Sequence, residues 1–153
     1  MKLRRHQEEE LESPVEFLED LRKIDLFSEL DPLHLQSVAE LVEIRTARKD
    51  EEIVREGTYS ANLFVIFSGS ARATVRNRPR STFGPGEFFG ELGMLGHTQS
   101  ATVKAEDEMK LGAVDAKALK ALLDEEPTIA VHMLQTLILR LEALMERPAG
   151  ELS

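Results

Sequence analysis

The spacing of apolar residues along this chain is helical at both ends and two-residue in the middle, and that change restricts the fold more than any other feature. From Ile44 onward the pattern alternates. Ala71, Ala73 and Val75 interleave with Arg72, Thr74 and Arg76, and Ala101, Val103 and Ala105 interleave with Thr102, Lys104 and Glu106. Asn62–Phe67 and Met109–Val114 are apolar strands. Ile44, Thr46, Glu52, Ile53 and Val54 read as two short strands broken at Arg48-Lys49-Asp50. Turn signals fall at Arg55-Glu56-Gly57-Thr58, Ser68-Gly69-Ser70 and Arg78-Pro79-Arg80. Short strands with turns roughly every 8–12 residues predict an antiparallel sandwich or barrel.

The flanks predict helices. Ser13 can cap a helix with Pro14 at its first position, and Phe17, Leu18, Leu21 and Ile24 recur at helical spacing. Asp31-Pro32 opens a second helix with Leu35, Val38, Ala39 and Val42 on one face. Asp115 caps a short helix to Asp124. After Glu125-Glu126-Pro127, a longer helix runs from Thr128 to about Arg147. Its residues Ala130, Leu134, Leu137, Leu141 and Leu144 form a heptad seam, with Val131, Ile138 and Met145 on a neighbouring stripe. One stripe is expected to cover the β core and the other to meet a second chain. The organisation is thus a charged arm (1–12), one domain (13–147) and a tail (148–153). The domain divides into N-terminal helices (13–43), β core (44–114) and closing helices (115–147).

Composition excludes several classes. A net charge of −9 opposes general nucleic-acid binding, which depends on Lys and Arg neutralising phosphates. Zero cysteines remove disulfides and thiolate chemistry, and a reducing cytoplasm suits such a chain. No uninterrupted apolar run approaches the roughly 18 residues of a membrane helix. Catalytic signatures are missing too: no nucleophile elbow, Walker loop or His-x-x-x-His pair is present. Arg72, Arg76, Arg78 and Arg80 share parity, which predicts one outward basic face, either solvated or docking an acidic partner.

Residues 83–103 read Phe-Gly-Pro-Gly-Glu-Phe-Phe-Gly-Glu-Leu-Gly-Met-Leu-Gly-His-Thr-Gln-Ser-Ala-Thr-Val. Gly90, Gly93 and Gly96 permit close backbone approach around an anion. Glu91, between apolar neighbours, reads as a buried carboxylate. The stretch resembles the phosphate-binding cassette of cyclic nucleotide-binding domains, usually Phe-Gly-Glu-Leu-Ala-Leu-Leu, a gap, then Arg-(Ser/Thr)-Ala-x-Val. Phe89, Gly90, Glu91, Leu92, Leu95, Ser100, Ala101 and Val103 match, but Gln99 stands where the family has its phosphate-gripping arginine. Leu26-Phe27-Ser28-Glu29-Leu30, Arg55-Glu56-Gly57 and Leu63–Ser70 support the resemblance, which covers residues 13–146.

The resemblance implies a mainly β fold with flanking α: an antiparallel β-roll or jelly-roll barrel with N-terminal helices and two C-terminal helices. It implies a non-enzymatic regulatory module whose ligand is cyclic AMP, cyclic GMP or another small anion. Glu91 would accept from the ribose 2′-hydroxyl. Gly90, Glu91, Leu92, Gln99, Ser100 and Ala101 would line the sugar-phosphate, and Arg140, Leu141 and Leu144 would cover the base. His97 is a further candidate for anion contact. Gln99 predicts cyclic nucleotide binding that is weakened or lost. The alternative is an interaction module that dimerises through its C-terminal helix and meets an unidentified protein partner without a nucleotide. With the sequence ending shortly after Pro148, no DNA-binding element is expected.

Overall fold

The computed structural model describes residues 14–146. The expected arm (1–12), the capping Ser13, Arg147 and the tail lie outside the described residues. Helix α1 (Pro14–Arg22) stops as the Arg22 guanidinium donates to the Leu30 carbonyl at 2.8 Å. Ile24 therefore follows the helix instead of extending its stripe, and it is fully buried beside Leu26 and Phe27 of a one-turn 3₁₀ helix (Asp25–Phe27). Asp31 caps α2 (Pro32–Ala39) as expected, accepting from the His34 backbone N–H at 2.9 Å. Val42, predicted on that helix, instead opens the first strand.

Eight strands are described: β1 (Val42–Ala47), β2 (Glu52–Val54), β3 (Asn62–Ser68), β4 (Ala71–Val75), β5 (Arg78–Phe83), β6 (Phe88–Phe89), β7 (Thr102–Ala105) and β8 (Met109–Asp115). They form two antiparallel four-stranded sheets, ordered β1-β8-β3-β6 and β2-β7-β4-β5. The fold is therefore the expected β-roll with flanking helices, but its sheets do not close into a barrel. The short strands β1 and β2 belong to different sheets, pairing with β8 and β7 respectively.

Two cores result. Between the sheets, Phe64, Ile66, Phe89 and Leu111 of the first meet Val54, Ala71, Ala73 and Val103 of the second. On the outer side of the first sheet, Leu63, Val65 and Val114 meet Leu21, Phe27 and Leu35 of the N-terminal helices. Strand β3 is thus apolar on both faces, which explains why Leu63–Ile66 reads as a continuous run rather than an alternation. Opposite it, Gly112 provides a slot. A Cβ there would stand 2.8 Å from Val42 Cγ1 and 2.9 Å from Val65 Cγ2. Overpacking of this kind costs about 1–3 kcal/mol. Gly112→Ala is expected to lower the unfolding free energy by that amount, read in equilibrium urea denaturation as a lower midpoint at unchanged slope.

Three local expectations change. The β4–β5 turn is Arg76-Asn77, both at positive φ (54° and 65°), so Arg78-Pro79-Arg80 is strand and not turn. A bulge pairs Ala73 with Ser81 and Thr74 with Pro79, leaving Arg80 without a cross-strand partner. Chain reversal and bulge together reset the side-chain parity, so Arg72, Arg76, Arg78 and Arg80 do not share one face. Thr102, expected outward, is buried because its hydroxyl accepts from the Glu56 N–H at 3.0 Å.

Asp115 caps α3 (Ala116–Glu125), and α4 (Pro127–Met145) follows. The residues of α4 that enter the domain are Ile129, Met133 and Thr136, which belong to neither predicted stripe. Ile129 and Met133 join the helical core, and this rotates both stripes outward. Leu134 and Leu141 are 56% and 58% exposed, and Val131, Leu137, Ile138, Leu139, Leu144 and Met145 are exposed with them. No stripe of the predicted seam covers the β core. By length and composition α4 alone among the described helices could span a membrane. Its buried residues, however, are already packed against the domain. At its start, His34 of α2 lies between two carboxylates, with Nδ1 3.2 Å from Asp31 and Nε2 2.9 Å from Glu126 at the α3–α4 joint.

Candidate ligand-binding cassette

Strand β6 delivers the chain to the cassette. Consecutive strand residues point to opposite faces. Phe89 enters the core between the sheets, stacked on Phe64 with ring centroids 5.4 Å apart, while Phe88 packs with the helical core. Gly90 then turns the backbone at φ 82°, with the space for a Cβ closed by the Asn62 carbonyl at 3.0 Å. This left-handed turn starts a 3₁₀ helix (Glu91–Leu95) ending at Gly96. Gly93 lies so close to the Ser60 carbonyl that no side chain fits there. The glycines therefore seat the cassette on the loop that precedes β3. Leading N–H groups of a helical turn lack intrahelical partners and are suited to an anion.

Gln99 closes the other end. It is buried at 6% exposure, and its side-chain Nε2 donates to the Gly90 carbonyl at 3.4 Å. Its backbone is held twice: the Gln99 N–H donates to the Thr58 carbonyl and the Gly57 N–H donates to the Gln99 carbonyl, each at 2.8 Å. The amide thus faces the turn where the 3₁₀ helix begins and ties the ends of the cassette together. From Gly90 to Ala101 the chain contains no lysine or arginine. Glu91, the first residue of the 3₁₀ turn, is exposed, not buried, and makes no side-chain bond among the described residues. Leu92 is half-buried, Ala101 packs against the core between the sheets, and Ser100 and His97 are exposed.

The three residues expected over the base lie in the second half of α4. Arg140 pairs with Asp25 at 3.4 Å and lies over the Phe88 ring, 5.5 Å from its centroid. Phe88 is on the helical side of β6, so this guanidinium sits behind the strand, opposite Phe89 and the core between the sheets. Leu141 and Leu144 are exposed on the outer surface of α4. The reason is the same rotation of α4 about Ile129 and Met133. Sequence reasoning missed the Gly57-Thr58 and Ser60 contacts; Gly57 reads as a turn, but nothing local ties it to Gln99.

Comparison with known proteins follows this geometry. A family model described as the cyclic nucleotide-binding domain matches residues 44–126. A protein provisionally named a potassium channel protein, from Rhodopseudomonas palustris, is 30% identical over 112 residues, covering 71% of this chain and 27% of that one. The type II regulatory subunit of cAMP-dependent protein kinase from Drosophila melanogaster is 26% identical over 113 residues, 73% of this chain and 30% of that one. The chain thus spans less than a third of these relatives. Among solved structures, the catabolite activator protein of Thermus thermophilus is similar at 27% identity and a TM-score of 0.67, covering 80% of this chain and 61% of that one.

Proposed function

The chain belongs to the cyclic nucleotide-binding domain family, and from that premise we propose that it is a non-enzymatic regulatory domain whose grip on cyclic AMP and cyclic GMP is weakened or lost. The observation that carries this reading is Gln99, buried at the cassette's closing end with a neutral amide aimed at Gly90. A cyclic phosphodiester brings one negative charge out of water, and an arginine fork offsets that cost with charged hydrogen bonds. An amide offers hydrogen bonds without charge. Glu91 adds a carboxylate to the same cassette, and His97 is its one remaining basic side chain. The seating of Gly90 and Gly93 supports a cradle that is still built for close backbone approach.

Calorimetric titration of the purified chain with cyclic AMP and with cyclic GMP tests the reading. Neither is expected to bind at ligand concentrations of tens of micromolar. A dissociation constant below about 10 µM, about −7 kcal/mol on the usual scale, would overturn it.

The exposed surface of α4 favours a second, compatible reading: pairing with another copy of this chain through Leu134, Leu137, Leu141 and Leu144. Their spacing of three, four and three is that of a two-helix seam. The absence of cysteine suits a cytoplasmic, reducing setting for such a module.

A further inference from the structure

The β4–β5 hairpin concentrates positive charge on a protein of net charge −9. Among the other described arginines, Arg45 pairs with Glu43, Arg55 with Glu52 and Arg140 with Asp25. Arg76, Arg78 and Arg80 are exposed, and no side-chain bond or ion pair engages them among the described residues. Their backbone is fixed. The two-residue turn Arg76-Asn77 has the positive φ angles that tight hairpins favour, and the Arg76 N–H donates to Glu56 at 2.9 Å. Beside the hairpin runs a cleft of about 600 Å³ whose walls include Arg72, Thr74, Asn77, Arg80, Ser81 and one carboxylate, Glu106. Arg72 keeps a 3.1 Å bond to Asp50. Apart from Glu106, these side chains are donors suited to carboxylate oxygens.

We propose that this hairpin docks an acidic polypeptide segment of a partner protein that wraps its tip, with Arg80 gripping it from the cleft and Arg76 and Arg78 from outside the cleft. Strand β5 is an edge of its sheet, but Pro79 has no N–H to offer and the bulge at Arg80 breaks the ladder. The edge is therefore blunted without help from charge, and recognition falls to side chains instead of strand addition. A nucleic acid fits less well, since three arginines neutralise few phosphates and the rest of the molecule repels a long polyanion. The surface lies outside the cassette, so the proposal does not depend on whether a nucleotide binds.

The test is fluorescence anisotropy of a labelled hexaglutamate peptide titrated with the full chain at low ionic strength. Binding is expected to weaken as salt rises and to fall at least about tenfold in the triple variant Arg76→Gln, Arg78→Gln, Arg80→Gln. Substituting Arg48→Gln and Lys49→Gln, also exposed, is expected to change it less than about twofold. If the triple variant fails to fold, Arg80→Gln alone must still weaken binding by about threefold. Absence of binding by the native chain, equal binding by the hairpin variants, an equal loss with Arg48 and Lys49, or tighter binding of an oligothymidylate would each overturn the proposal.

Discussion

Gln99→Arg is expected to raise the affinity for cyclic AMP by roughly 30-fold to a few thousand-fold, the largest single-residue effect in this chain. The magnitude follows from the approximately 2–5 kcal/mol that a buried, hydrogen-bonded charge pair loses when one partner is removed, at about 1.4 kcal/mol per tenfold. Geometry favours rescue. Position 99 is buried, its backbone is fixed on both sides by Gly57 and Thr58, and its side chain already points at Gly90. The longer guanidinium reaches the same turn with charge. The lower end of the range is the safer expectation, because Arg is bulkier than Gln and must displace its neighbours. Calorimetry on the native chain and the variant reads the difference directly. A correctly folded variant as silent as the native chain would mean that the rest of the cradle no longer fits a nucleotide, and the interaction reading of α4 would stand alone.

The paired substitution Leu134→Glu and Leu141→Glu is expected to convert a dimer entirely into monomer at concentrations where the native chain is paired. Each leucine buried in an interface contributes about 1.5–3 kcal/mol. Two per chain, hence four per dimer, amount to about 6–12 kcal/mol, comparable with the roughly 8 kcal/mol of a micromolar complex. Buried glutamates facing each other would add repulsion. Both residues are more than half exposed in the single chain, so the domain itself should keep its stability. Sedimentation velocity across a concentration series checks the outcome. A native chain that stays monomeric at high micromolar concentration, or a variant that still dimerises, would reject this surface as the interface.

Local chemistry was legible in the sequence and distant packing was not. Asp31 and Asp115 cap their helices as read, because a cap needs only the next few residues. The cassette glycines likewise announce their turn. The β4–β5 hairpin was misplaced because Pro79 reads as a turn residue, whereas Arg76-Asn77 takes the left-handed conformation; Asn77 was the available cue. Rotation of α4 could not be read, since Ile129 and Met133 gain their role only by meeting residues of the N-terminal helices. Glu91 appeared buried from its apolar neighbours, but a 3₁₀ turn carries successive side chains in different directions.

Strand alignment in the doubly covered sheet poses a problem that hydrophobic patterning cannot solve. With Leu63 and Val65 buried on one side of β3 and Phe64 and Ile66 on the other, a one-residue slip exchanges apolar for apolar, and the usual penalty for misregister disappears. Shape has to discriminate instead. Gly112 pairs with Ile44 on one side and Val65 on the other, and the flanking Val42 and Val65 side chains fill the room its missing Cβ leaves. A slipped alignment would bring Leu111 or Ala113 into that room. Gly112 is thus a keyway that three strands share, and its loss would show as slow refolding through misaligned sheets in addition to the loss of stability.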